Sequence, residues 1–260
     1  MTLTQPKCRV TKNTKRAQRA RRMANVVICE NLRDLRETIF EICGRQFLSF
    51  AMNMALIEPH YLPCLEYFCA LLPFDQLVLE KQEHYIKQGY RNRCYINTAQ
   101  GPAMLVVPLT AKHNKVPFMD IRIDYTGKWQ NNHWRSIQSA YAKAPFFEHY
   151  APDLRDILYR NFDFIFDLNR EVLSFCLNNL GLRKDFSETE KYQKEVSLPI
   201  CDLRSQITSK KPYSSRTFYQ PKPYYQVFGN TFASNLSLID LLFCEGPNSL
   251  SILKASRREI

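Results

Sequence analysis

From residue 54 onward, short apolar runs alternate with breaks marked by proline and glycine, and the spacing inside each run predicts its element. Residues 54–58 (Met-Ala-Leu-Ile-Glu) read as a strand that leaves into a loop bounded by Pro59 and Pro63. Residues 64–72 place Leu65, Phe68, Cys69 and Leu72 on one helical face, and residues 76–80 (Gln-Leu-Val-Leu-Glu) form a second strand-like run. Strand, short helix, strand predicts a βαβ unit with parallel strands. The runs 94–97 and 104–107, joined by Thr98-Ala99-Gln100-Gly101-Pro102, predict a hairpin, and residues 121–124 alternate as a further half-buried strand. A helical middle section follows. Residues 128–143 align Trp129, His133, Ile137 and Tyr141 along one face and stop before Pro145, with further helices over 152–161 and over 169–179, the last ending at Gly181. The polar stretch 183–222, with its Lys-Pro pairs, reads as a loop, and a C-terminal helix over 236–243 precedes a turn at Glu245-Gly246-Pro247. The expected fold is α/β: a small mixed sheet opened by the βαβ unit, a helical middle section and a C-terminal helix.

Composition adds a core and relocates the charge. With 45% hydrophobic and 13% aromatic residues the chain has ample material for a buried interior. Its formal net charge of +11 suggests a polyanion binder until the charges are placed: residues 1–22 carry eight bases and no acid, which leaves 28 bases against 25 acids in the remainder. The expected organisation is therefore a basic, disordered leader over residues 1–51 and a single α/β domain over 52–260. Within the leader, Leu32, Leu35, Ile39 and Ile42 give residues 31–43 the spacing of one short amphipathic helix, and Met52 or Met54 could be the true start. Nucleic acid is not an expected partner of the body, and with no apolar run near the ~18–20 residues of a membrane span, neither is a bilayer. Nine cysteines without a Cys-x-x-Cys pair, and no secretory signal, fit a reducing, cytoplasmic setting.

Several chemistries are excluded by what is missing. The seven glycines never stand closer than Gly89 and Gly101, so neither a Gly-rich dinucleotide loop nor a P-loop is present. The nucleophile elbow of serine hydrolases and the His-Glu-x-x-His spacing of zinc enzymes are absent too, and no metal is expected. Three candidate groups stand out. Glu58-Pro59-His60-Tyr61-Leu62-Pro63 lies between a strand and a helix, where His60 could act as a base or meet an anion, or simply sit in a turn shaped by its prolines. Tyr90-Arg91-Asn92-Arg93 opens the hairpin. Its Arg91 and Arg93, expected on one strand face, suit phosphate or carboxylate if they are not merely a solvated edge. His133 lies between Trp129 and Tyr141 on a helix that ends near Lys143, either as a site base or as a hydrogen-bonded core histidine.

Taken together, Ile57 to Phe68, Tyr90 to Ile96, Val106-Val107-Pro108, Trp129 with His133, Tyr141-Ala142-Lys143-Ala144-Pro145-Phe146-Phe147, and the ending from Tyr225-Gln226-Val227-Phe228 through Asn235–Phe243 to Glu245-Gly246-Pro247 resemble the WbqC-like protein family over about residues 54–253. Where that family often carries Gln-Pro, this chain has Glu58-Pro59, a carboxylate in place of an amide. The resemblance implies a transferase of surface-polysaccharide (O-antigen) biosynthesis that adds glycine or a related acyl group to a nucleotide-linked amino sugar. In that setting His60 and His133 are the catalytic candidates, with Arg91 and Arg93 for the diphosphate and Asn92, Lys143 and Tyr141 as further substrate contacts. The expected partners are a nucleotide-linked sugar and an activated amino-acid donor; the sequence leaves any cofactor unknown. The alternative is a non-catalytic module that recognises a sugar nucleotide or a glycan-assembly enzyme.

Overall fold

A computed structural model describes residues 53–110, 116–229 and 231–258. The expected leader, with its helix over 31–43, lies outside these residues. The first described element is β1 (Met54–Ile57), followed by α1 (Leu65–Leu71) and β2 (Gln76–Leu79). Strands β1 and β2 pair in parallel from Met54 opposite Gln76 to Ile57 opposite Leu79, so the opening βαβ unit is present. Ala55, Ile57, Leu77 and Leu79 alternate onto one face and are at most 1% exposed. A seven-residue helix is too short to persist alone, and α1 is held by burial of every residue from Leu65 to Leu71.

The polar stretch 183–222 is not a loop throughout. It supplies β5 (Asp185–Glu188) and β6 (Ile200–Asp202), which flank the first two strands in the order β5-β2-β1-β6, every pairing parallel. These two strands escaped the apolar pattern because they are short and their side chains are half-buried or exposed. Their order comes from backbone pairing with an apolar centre already formed by β1 and β2. The hairpin is present as β3 (Arg93–Thr98) and β4 (Gly101–Val106), antiparallel in a second sheet, with Thr98 opposite Gly101 and only Ala99 and Gln100 between the strands. Residues 121–124 form isolated bridges, Leu109 to Ile123 and Arg122 to Phe164, instead of a strand.

Three helices follow: α2 (Trp129–Tyr141), α3 (Phe147–Tyr159) and α4 (Ile165–Asn179). Two begin earlier than expected. Pro152 lies inside α3, where it removes one backbone donor without stopping the helix, and Ile165, Phe166 and Leu168 extend the buried face of α4 ahead of Asn169. The chain ends in α5 (Leu238–Glu245) and α6 (Ser249–Ser256), joined by a 3₁₀ turn at Gly246–Asn248. Gly246 has φ +53°, and a Cβ there would stand 2.6 Å from the ring of Phe146, so this turn requires glycine on two counts. Among the described residues no helix is long and apolar enough to cross a membrane.

One ion pair ties the later chain to the first helix. Glu66 of α1 is fully buried and takes both Nε and Nη2 of Arg216 at 2.5 Å, while Asn235 accepts from the Glu66 backbone at 2.9 Å. Replacing Arg216 by Ala would leave a carboxylate buried without its cation, which costs about 3–5 kcal/mol. Urea unfolding of Arg216→Ala checks this. The double variant Glu66→Leu/Arg216→Met should recover most of the loss, and a single-variant cost under ~1 kcal/mol would show that the pair does not hold the two regions together.

Candidate functional site

Parallel sheets present their strand carboxyl ends as a crevice, and the sequence places a charged or hydroxyl-bearing residue within two positions of the end of each strand here. Glu58 follows β1, Glu80 follows β2, Thr189 follows β5, and Leu203-Arg204-Ser205 follow β6. The chain leaves β1 toward β2 on one side, whereas β6 joins β1 from the other. The gap between β1 and β6 is therefore the switch point of the sheet, and Glu58 stands in it. Ser205 crosses the gap: its backbone N–H donates to both carboxylate oxygens of Glu58, at 3.2 and 3.0 Å.

Arg91 completes the group. Its Nη2 lies 3.2 Å from Glu58 Oε1 and donates to Ser205 Oγ at 3.2 Å, its Nε donates to Glu83 Oε1 at 3.1 Å, and Nη2 also contacts Glu83 closely. One guanidinium thus serves two buried carboxylates. The two titrate apart. Burial pushes both up, but at Glu58 the Arg91 charge, His60 and the Ser205 N–H outweigh it and hold the carboxyl well below the usual range. At Glu83, burial and the nearby Glu58 and Glu80 charges prevail over Arg91 and raise it to about 7.

His60 reaches Glu58 Oε1 through Nε2 at 3.4 Å and lies against the rings of Tyr67 and Tyr90, at 4.7 and 5.5 Å between centroids. Burial lowers its pKa despite the opposing pull of Glu58, so the ring is neutral near pH 7. With Nε2 protonated toward Glu58, Nδ1 keeps its lone pair, and that atom is buried with no hydrogen-bond partner. Asn169 of α4 fixes the two segments that carry these groups: its Nδ2 donates to the carbonyls of Pro59 at 3.1 Å and Arg91 at 2.7 Å. Beside this group, Glu80 accepts from Thr189 at 2.8 Å and from Arg204 at 2.9 Å, and Arg204 also binds Asp202.

Of the residues singled out from sequence, the structure brings His60 and Arg91 together. The others stand elsewhere. His133 is occupied on both sides, accepting from Tyr61 Oη at Nδ1 (2.8 Å) and donating from Nε2 to the Val106 carbonyl (3.1 Å), with Trp129 edge-on at 5.1 Å; burial pushes its pKa down to about 4. Tyr141 donates to Asp240 at 2.8 Å and accepts from the Asn97 N–H at 2.9 Å, a core linkage between α2, α5 and the hairpin. Asn92 donates to the Val107 carbonyl at 3.0 Å. Arg91 precedes β3 and points into the buried group, whereas half-buried Arg93 turns toward Met104 Sδ at 3.8 Å, so the two arginines do not share a strand face. Lys143 is exposed beyond the end of α2. Glu83, Asn169 and Ser205 were not foreseen, and nothing in their local spacing marks them.

A buried carboxylate–guanidinium–imidazole group just past the carboxyl ends of a parallel four-stranded sheet marks an α/β protein. Within that class, the chain belongs to the WbqC-like protein family, whose model matches residues 58–252. It is 25% identical over 233 residues to the uncharacterized protein Rv1507c of Mycobacterium tuberculosis (strain ATCC 25618 / H37Rv), an alignment covering 79% of this chain and 99% of that protein. No solved structure matches the chain.

The raised Glu83 carboxyl has a stability signature of known sign. Between its ordinary 4.5 and about 7 the native state holds a proton that the unfolded chain has released, so its contribution to stability falls as pH rises through that window. Glu83→Gln stays neutral and still accepts from Arg91. Its stability relative to the wild type should therefore rise from pH 4.5 to 7 and level off near pH 8, in urea unfolding at each pH. The opposite slopes from His60 and His133, whose pKa values are lowered, are common to both proteins and cancel in the difference. A difference independent of pH would remove the shifted carboxyl.

Proposed function

We propose that this protein is a cytoplasmic transferase of surface-polysaccharide biosynthesis that adds glycine or a related acyl group to a nucleotide-linked amino sugar. Membership of the WbqC-like family supports the class, and the observation that carries the chemistry is the Glu58–His60 pair with an unpartnered lone pair on Nδ1. The six described cysteines are all free thiols, in keeping with a reducing compartment.

Amide formation on an amino sugar requires an uncharged amine and a base for the proton it sheds. In this reading the sugar nitrogen attacks the acyl carbon of an activated amino-acid ester, and the new C–N bond forms as the bond from that carbon to the leaving oxygen breaks. His60 Nδ1 takes the proton from nitrogen and returns it to the leaving oxygen. Glu58, kept ionised by Arg91 and Ser205, stabilises the transient imidazolium, the role a carboxylate plays behind a catalytic histidine. His133, with both nitrogens engaged, supports the packing of Tyr61 against β4, and Arg91 serves Glu58 and Glu83 instead of a diphosphate. The burial of His60, at 1% exposed, favours the second reading, a recognition module without turnover.

The test is incubation of the pure protein with nucleotide-linked amino sugars and activated glycine, glycyl-tRNA included, with product mass as readout. The wild type is expected to form product and His60→Gln to slow it by about 10²–10⁴-fold. Undiminished product from His60→Gln would defeat the base assignment. Binding of the sugar nucleotide with no product from any donor would favour the recognition module.

A further inference from the structure

The buried group at the switch point meets solvent at one residue. Glu58, His60, Arg91 and Glu83 are 1%, 1%, 3% and 7% exposed, whereas Ser205, bonded to both Glu58 and Arg91, is exposed. Ser205 also has φ +55°, a left-handed conformation that a serine adopts at a cost and that its N–H bonds to Glu58 maintain. On its outer side lies a cleft of about 540 Å³ whose walls include Ser205, Thr208, Lys211, Ser215, Thr217 and Phe218. That volume falls in the ~300–1,000 Å³ range of small-molecule sites.

The chemistry of the walls narrows the ligand. Arg216 also borders the cleft, but four of its five N–H donors are engaged: Nε and one Nη2 hydrogen on Glu66, and Nη1 on the carbonyls of Thr208 at 3.2 Å and Lys211 at 3.1 Å. It fixes the wall and leaves Lys211 as the cation facing a ligand. Thr208 Oγ1 accepts from the Lys210 N–H at 3.3 Å and keeps its own hydrogen to donate; Ser215 Oγ donates to Pro212 at 2.7 Å and keeps lone pairs to accept. Mixed hydroxyl donors and acceptors suit sugar hydroxyls, and a single ammonium suits one phosphate. Another cleft, of about 500 Å³ beside Thr98, Arg135 and Phe228, is lined by none of Glu58, His60, Glu83, Arg91 and Ser205.

We propose that the cleft outside Ser205 binds the sugar-phosphate portion of the acceptor, with Lys211 on the phosphate and the Thr208, Ser215 and Thr217 hydroxyls on the sugar ring. The orientation, with the sugar amine turned toward Ser205 and the Glu58–His60 pair, rests on the transferase reading; the ligand class rests on the cleft. Titration calorimetry of the full chain with glucosamine 1-phosphate tests it. Saturable binding is expected, weakened about ten-fold by Lys211→Met and by Thr217→Val and unchanged by Arg135→Ala. Inorganic phosphate and free glucosamine should each bind at least about ten-fold more weakly than the sugar phosphate, since each offers only half of the contacts. Absence of binding, equal binding of inorganic phosphate, indifference to both cleft variants, or a loss caused by Arg135→Ala would each overturn the proposal. Both cleft residues are exposed, and Lys211→Arg, which keeps the charge, should retain most of the affinity; failure of that variant together with an unchanged urea midpoint would also count against the cleft. The two readings fail separately. Normal glucosamine 1-phosphate binding without acyl transfer removes the transferase and leaves the cleft, whereas transfer by Lys211→Met at an unchanged KM removes the cleft and leaves the transferase.

Discussion

Arg91 is buried between Glu58 and Glu83, and keeping that guanidinium paired constrains much of what surrounds it. Taking a charge out of water costs on the order of several kcal/mol even after relaxation, so each partner must be delivered to a definite place. Glu58 is placed by the end of β1 and Arg91 by the turn before β3, and Asn169 pins both segments through their carbonyls. Glu83 lies just past the end of β2, and Ser205 is carried over from β6, held in a left-handed conformation whose N–H closes the Glu58 carboxylate. Three regions remote in sequence thus converge on one cation. Two acids share it, and their unequal surroundings set one far below and one above the usual carboxyl range.

The same arrangement explains what the sequence could disclose. The βαβ unit was legible because two short apolar runs flank a segment with Leu65, Phe68, Cys69 and Leu72 at helical spacing, and Pro59 and Pro63 bracket the first connection. Helix α2 was legible for a similar reason, since Trp129, His133, Ile137 and Tyr141 recur at helical spacing and are all buried. Strands β5 and β6 were not, because backbone pairing at a sheet edge leaves no mark on the side-chain pattern of Asp-Phe-Ser-Glu or Ile-Cys-Asp. For the site, residue type singled out His60 and Arg91 but could not say what they touch. The partner of Arg91 is eight residues away in Glu83 and 114 away in Ser205, and only the folded topology makes either a neighbour. His133 shows the converse: its helical position was readable, whereas the two hydrogen bonds that commit it to the core were not.

Polar clusters away from the crevice serve closure instead. Asp240 accepts from Tyr141, from Tyr224 at 2.5 Å and from Gln226 at 2.9 Å, joining α2 and α5 to the chain before α5. Burial raises its pKa against the pull of those three donors. Glu66 with Arg216 and Asn235 does the same for α1 and the later chain. Both clusters put a single carboxylate among several donors, the usual condition for a buried acid, and neither contains a buried polar side-chain atom without a hydrogen-bond partner, as His60 Nδ1 is.

Strands β5 and β6 have one more consequence. Each covers an outer margin of the apolar β1–β2 pair, and both belong to one stretch of chain that passes from one margin of the sheet to the other, with Leu198 on the way 74% exposed. Were that stretch to detach, β1 and β2 would show unpaired backbone on both flanks, a template for joining strands of neighbouring molecules. The segment that presents Ser205 to the crevice therefore also guards the protein against aggregation, and changes that loosen it for the sake of altered specificity would draw on that protection.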